Sequence, residues 1–234
     1  MKKKLMILGA GAVQLYLLEA AQGLGYETVV CDMRPDMEAS KRADHYYPVN
    51  YMDRAAILEI ARKEHVDGVI SNSEPAMLNV AYLCETLGLP GNSMESVETL
   101  LSKTKFRALQ KKLGVFAPDY AMAASEEELL EAMRGMKYPV VIKPNESSGT
   151  RGTTKLSKYD EEAARAAFQT CREFSRNNLV SVEEYVEMAG LRVNDADVFV
   201  IGDEILWDGW LWEDRSKDAP MLPMTEIFPM ALPE

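Results

Sequence analysis

Between residues 5 and 87 the chain alternates short apolar runs with segments of helical spacing, and this rhythm limits the available folds more than any other feature. Residues 5–8 are apolar, Gly9-Ala10-Gly11 forms a turn, residues 13–24 read as a helix ending at Gly23 and Gly25, and residues 28–31 read as a strand. Two parallel strands need a crossover, which the helix supplies. Residues 43–51 give a short strand, and residues 53–64 a helix with Ile57, Ile60 and Ala61 on one face. A buried strand at 66–71, the turn Asn72-Ser73-Glu74-Pro75, and a helix at 77–87 follow. Leu89-Pro90-Gly91 closes the unit. The pattern predicts an open, mostly parallel sheet covered on both faces.

With 234 residues and 47% hydrophobic composition, the chain can build two modest domains or one large one. A net charge of -11 and a pI near 4.8 exclude a general basic surface, and with it nucleic acid or an anionic membrane as the main partner. Lys2-Lys3-Lys4 before an apolar run imitates a secretion signal, but the run is short and passes through Gln14 and Glu19. No stretch approaches the length of a membrane span. Cys31, Cys84 and Cys171 lack CxxC spacing, and His45 and His65 lie apart, so neither a disulfide frame nor a zinc site is expected. The expected location is cytoplasmic.

From Ser93 the rhythm changes. A short helix at 96–101 precedes a basic amphipathic helix at 103–113 that Gly114 closes. After Pro118 come a strand at 120–122 and a helix whose Ser125-Glu126-Glu127-Glu128 start is a capping box. Then Pro139 opens an apolar run, Val140-Val141-Ile142 suits a strand, and Pro144 ends the pairing just after Lys143. Gly149 and Gly152 let the following loop present backbone N–H groups to an anion, for which phosphate is the obvious guest; a strand with a flexible surface loop is the competing reading. Residues 160–176 form a patterned helix and 179–182 a strand leading into Glu183-Glu184-Tyr185-Val186. Strands at 197–201 and 204–207 join through Gly202-Asp203, and no closing element follows.

Two places are candidates for phosphate. The Gly9-Ala10-Gly11 turn, with Asp32 at the end of the second strand, partly matches a dinucleotide fingerprint, but Gln14 stands where a third small residue is wanted. A tight structural turn is the alternative. The other candidate is a set in order: Lys103, Lys143, the loop Ser147, Ser148, Gly149, Thr150, Arg151, Gly152, and the acids Glu183 and Glu184 before Tyr185 and Val186. Taken singly these are ordinary solvated charges or an edge-strand lysine.

In that order, the set resembles the ATP-grasp superfamily, closest to its carbamoyl-phosphate-synthetase-like, carboxylate–amine ligase branch, over nearly the whole chain. The resemblance implies an α/β chain: an open parallel-sheet pre-ATP-grasp domain at 1–95, then part of an α+β ATP-grasp domain at 96–234, with a lid subdomain roughly at 115–183. It implies Lys103 as the first nucleotide lysine, with Lys105 as a weaker alternative, and Lys143 as the second, near the α- and β-phosphates. Residues 147–152 match a lid over the phosphates, to which Arg151 adds a cation if it turns inward. Glu183, Glu184 and Val186 match the hinge that receives the adenine edge. The chain departs from the family in two respects. The ribose-binding acid falls on Leu191 or Val193, with Asn194, Asp195 or Asp197 as substitutes. Magnesium ligands are not identified and are expected beyond Glu234, with Asp208, Glu213 and Asp214 read as surface residues.

The implied activity is ATP-dependent ligation through an acylphosphate, which an amine or thiol attacks. ATP and Mg2+ are the implied cofactors, and a small-molecule carboxylate and amine the substrates; a homodimer is compatible. The 234 residues are expected to be an N-terminal fragment, inactive by itself. Two alternatives stand: an NAD(P)-dependent oxidoreductase using the Gly9 to Gly11 turn, and a non-catalytic nucleotide-sensing module. Glu74 with Asn72 and Ser73, and the tryptophans Trp207, Trp210 and Trp212, are weaker candidates for substrate contacts, with a helix cap and strand packing as their ordinary readings.

Overall fold

A computed structural model describes residues 2–147, 149–187, 190, 192–217 and 223–230. The chain divides into two compact units, Met1–Leu109 and Gln110–Glu234. In the first, strands β1 (Lys4–Leu8), β2 (Glu27–Cys31), β3 (His45–Tyr47) and β4 (Gly68–Ile70) form a parallel sheet in the order β3-β2-β1-β4. Side chains alternate between its faces. Met6, Leu8, Val29 and Cys31 pack with Ile57, Ile60 and Ala61 of α3 (Arg54–Glu64) and Val80, Leu83 and Cys84 of α4 (Met77–Leu87). Ile7 and Val30 pack with Leu18 of α1 (Ala12–Gly23) and Ala39 of α2 (Glu38–Arg42). The expected two-faced parallel sheet is therefore present. Helix α2 has no counterpart in the sequence reading, because five residues are too few to show a period.

Helix α5 (Met94–Leu101) starts at Ser93, whose hydroxyl accepts from the Ser96 amide, two residues earlier than the sequence pattern suggests. Helix α6 (Lys103–Lys112) follows. The second unit contains an antiparallel sheet in the order β5-β8-β6-β7, built from Tyr120–Ala123, Val180–Glu184, Val140–Pro144 and Thr154–Leu156 respectively. Helices α7 (Glu126–Arg134) and α8 (Glu161–Phe174) cover one face, where Leu129, Met133, Phe168 and Cys171 bury Ala123, Val140, Ile142, Val180 and Val182. Each such fully buried aliphatic or aromatic side chain contributes roughly 1.5–3 kcal/mol.

The third sheet is antiparallel, in the order β11-β10-β9. Its strands β9 (Arg192–Ile201) and β10 (Glu204–Arg215) run longer than the sequence pattern indicates, and β11 (Pro223–Ile227) is an addition. Gly209 is inside β10, where its missing side chain leaves room for the Trp207 ring. Trp207 and Trp210 are roughly half exposed. All three cysteines are free and buried. Among the described residues no helix is long and apolar enough to cross a membrane.

Candidate functional site

The face of the β5-β8-β6-β7 sheet turned away from α7 and α8 follows from strand alternation. Val140, Ile142, Val180 and Val182 go to the helices, so Val141, Lys143, Ser181 and Glu183 take the other side. Register extends this face sideways, setting Tyr120 opposite Glu183 and Met122 opposite Ser181 on β5, and Lys155 opposite Val141 on β7. Across it, the Lys143 ammonium donates to Glu183 Oε1 in a close ion pair. Their side chains are 16% and 9% exposed, so the pair is largely desolvated. A lysine and a carboxylate held this way present a donor and an acceptor side by side to a polar guest.

The two hinge acids separate by the same alternation. Glu183 is on this face, whereas Glu184 points the other way and its Oε1 accepts the Lys137 amide at 3.0 Å. The backbone there is pinned: the Glu184 N–H donates to Asp119 O at 2.9 Å and the Tyr185 N–H to Pro139 O at 2.8 Å. Val186 is exposed at 52%. Lys137, Tyr138, Pro139, Glu184, Tyr185 and Glu187 line a cleft of about 350 Å³ at this end of the sheet.

Residues 145–153 connect β6 to β7, and both ends of this connection are tied to α8 and the turn after it. Glu146 O accepts the Arg176 amide at 3.1 Å, and its Oε1 accepts Asn177 Nδ2 at 2.8 Å. At the other end Cys171 Sγ donates to Gly152 O at 3.0 Å. Gly149, Thr150 and Gly152 have positive φ of 70°, 59° and 72°. A side chain at 152 would meet Phe174 Cδ2 at 2.9 Å, so glycine there permits both the conformation and the close packing. Ser147 is half-buried and Arg151 exposed; Ser148 lies outside the described residues.

Lys103 opens α6 in the first unit, while Lys105 of the same helix is bound to Glu98 Oε2 at 3.2 Å. Of the substitutes for a ribose acid, Asp195 and Asp197 share one face of β9 and Asn194 takes the other; Val193 is on the Asp195 side, and Leu191 lies outside the described residues. Asp214 forms a two-pronged pair with Arg192 at 2.6 and 2.9 Å. Glu213 corrects its reading as a surface acid: it is 6% exposed and paired with Arg215, because its position in β10 turns it inward. Among the described residues no group of three or more His, Cys, Asp or Glu side chains is placed to hold a metal ion.

At the Gly9 to Gly11 turn the structure favours the structural reading. Gln14 is 4% exposed, and its Oε1 lies 2.8 Å from where a side chain on Gly11 would begin, filling the space a pyrophosphate would approach. Its amide donates to Asn72 Oδ1 at 2.6 Å. Asp32 accepts the Ala10 amide at 2.8 Å and the Arg34 guanidinium at 2.9 and 2.8 Å. The hydrogen bonds from the Arg34 side chain, then those from the Arg34 and Ala10 amides, hold the Asp32 carboxyl below the usual range against the opposing effect of burial.

The sequence reading assigns no role to Lys155, Tyr120 or Met122. Strand β7 is three residues long, too short for a period-two signal, so nothing in the sequence places Lys155 beside Lys143.

Residues 18–91 match the ATP-grasp N-terminal domain family, and residues 102–204 match the carbamoyl-phosphate synthase L chain ATP binding domain. A formate-dependent phosphoribosylglycinamide formyltransferase from Sulfolobus acidocaldarius is 32% identical over 190 residues, which are 80% of this chain and 47% of that protein. A carbamoyl phosphate synthase large chain from a Thermotoga species is 29% identical over 70% of this chain and 17% of its own length. The chain thus spans about half the length of the formyltransferases it matches. Among solved structures, the N5-carboxyaminoimidazole synthetase from Staphylococcus aureus complexed with ADP superposes with a TM-score of 0.80 at 16% identity, covering 99% of this chain and 60% of that one. The phosphoribosylglycinamide synthetase from Anaerococcus prevotii gives 0.71 at 22% identity, over 100% and 57%.

Proposed function

Because the chain belongs to the ATP-grasp superfamily, in its carbamoyl-phosphate-synthetase-like, carboxylate–amine ligase branch, we propose that it holds ATP on the face of the β5-β8-β6-β7 sheet that carries Lys143 and Glu183. The whole protein then uses ATP to activate a small carboxylate as an acylphosphate for attack by an amine. Residues 1–95 act as the preceding domain and residues 96–234 as the ATP-grasp portion, in keeping with the two matched segments.

The observation that carries this reading is the desolvated Lys143/Glu183 pair beside the hinge. Glu183 holds the ammonium in position, so the cation is already ordered when a phosphate arrives. Electrostatics in such a partly dry site are stronger than in water. The Glu183 carboxylate and the backbone of residues 184–186 receive the base edge. Residues 149–152 lie over the phosphates, offering them backbone N–H groups near Gly149 and Gly152, with Arg151 as a further cation of this loop. Mg2+ bound with the nucleotide would neutralise further phosphate charge. The residues named bind, orient and exclude water, and none needs to form a covalent intermediate.

Calorimetric titration of the chain with Mg-ATP tests this. Lys143→Met is expected to weaken binding at least tenfold, as is the double variant Lys143→Met/Glu183→Gln, which avoids an isolated buried acid. Unchanged affinity in a folded Lys143 variant contradicts the proposal.

A further inference from the structure

A second side-chain pair crosses the same face. Lys155 of β7 is opposite Val141 and therefore on the side of Lys143 and Glu183, and its Nζ lies 3.5 Å from the centroid of the Tyr185 ring. An ammonium at that distance is held by the negative π-face of the ring. Lys155 is exposed and Tyr185 half-buried, and the ammonium stands over one face of the ring. The Tyr185 backbone is fixed to Pro139 O at 2.8 Å, which leaves side-chain rotation as its freedom. Tyr185 stands between Glu184 and Val186, and it is the aromatic ring of the hinge segment.

Resting on the nucleotide reading above, we propose that Lys155 and Tyr185 determine how the site accepts the base. Tyr185 is the stacking surface beside the hinge, and Lys155 occupies that surface until a flat base displaces it. Lysine suits this role because its compact ammonium is strongly hydrated and returns readily to water, whereas a guanidinium would stack on the ring and stay. The exchange concerns the base end only. Ligands with an aromatic base must displace the ammonium, and ligands with phosphates alone need not.

The test compares ATP, adenosine and inorganic tripolyphosphate on the wild-type chain and on Lys155→Ala, Lys155→Gln, Lys155→Arg and Tyr185→Leu. The proposal expects Lys155→Ala and Lys155→Gln to bind ATP and adenosine about two- to fivefold more tightly, the range of an exposed cation–π contact. Tripolyphosphate should bind no more tightly to either variant, and Lys155→Arg should give no gain for ATP. Tyr185→Leu should weaken adenosine binding and abolish the gain from Lys155→Ala in the double variant. Unchanged or weaker ATP binding by Lys155→Ala overturns the proposal, as does an equal gain for tripolyphosphate. In either case wild-type ATP binding preserves the nucleotide reading, and absence of binding of any nucleotide to any variant overturns both.

Discussion

A glutamate as buried as Glu183 is tolerated because the Lys143 ammonium meets it. Removing the lysine side of the pair strands the acid in a desolvated place, so Lys143→Met is expected to lower the stability of the second unit by about 3–5 kcal/mol in urea unfolding. Neutralising both partners in Lys143→Met/Glu183→Gln should recover most of that loss, since the expensive group is then gone. The two residues were legible as candidates, Lys143 from its place at a strand end and Glu183 from its place in the hinge. Their pairing was not legible, because it depends on the antiparallel register of β6 with β8, which no local pattern encodes. Asp32 shows the reverse case: its position after β2 suggested a ligand role, and the structure gives its oxygens to Ala10 and Arg34. Its folded pKa is lowered, so its contribution to stability is present above the ordinary carboxylate value of about 4 and is lost as pH falls through the folded value. Acid titration of the first unit should therefore show a loss of stability below about pH 4 that is smaller in Asp32→Asn.

At the level of elements, period-two and period-3.6 patterns found the strands and helices that bury one face well. They found β6 because its β-branched run is bracketed by prolines, and α8 because its residues follow a helical pattern; in the structure Asp160 caps that helix, accepting the Ala163 amide at 3.0 Å. Strand β7 escaped notice because Thr154-Lys155-Leu156 has one alternation and polar neighbours. Strand β10 outran its expected end because Gly209, which usually interrupts a strand, here makes room for Trp207. The β6-β7 connection gives a prediction of its own. Both Gly149 and Gly152 have positive φ, but a side chain at 149 meets nothing within 4 Å and one at 152 meets Phe174 and Pro144 at 2.9 and 3.1 Å. Gly149→Ala should cost roughly 1 kcal/mol from backbone strain. Gly152→Ala should cost about 2 kcal/mol or more, and hydrogen exchange should show added opening at residues 152–156 in that variant.

Over the whole chain, the sequence was enough to expect a parallel sheet followed by a differently built unit, since the change of rhythm near Ser93 is strong. The side of the second sheet proposed as the site required knowing which face the helices cover, and that is a property of packing. The parallel sheet has its own reversal of strand order between β1 and β4, a place where such sheets often bind ligands, and there Gln14 and Asn72 fill the turn. Two addresses for a nucleotide are thus distinguishable within one molecule. Photolabelling with 8-azido-ATP, followed by peptide mapping, reads the address directly. The account predicts label in residues 120–122, 141–156 or 183–187, competed by ATP and lost in Lys143→Met. Competable label on the peptide carrying Gly9 to Gly11 or on that carrying Asp32, with none on the second sheet, would contradict it.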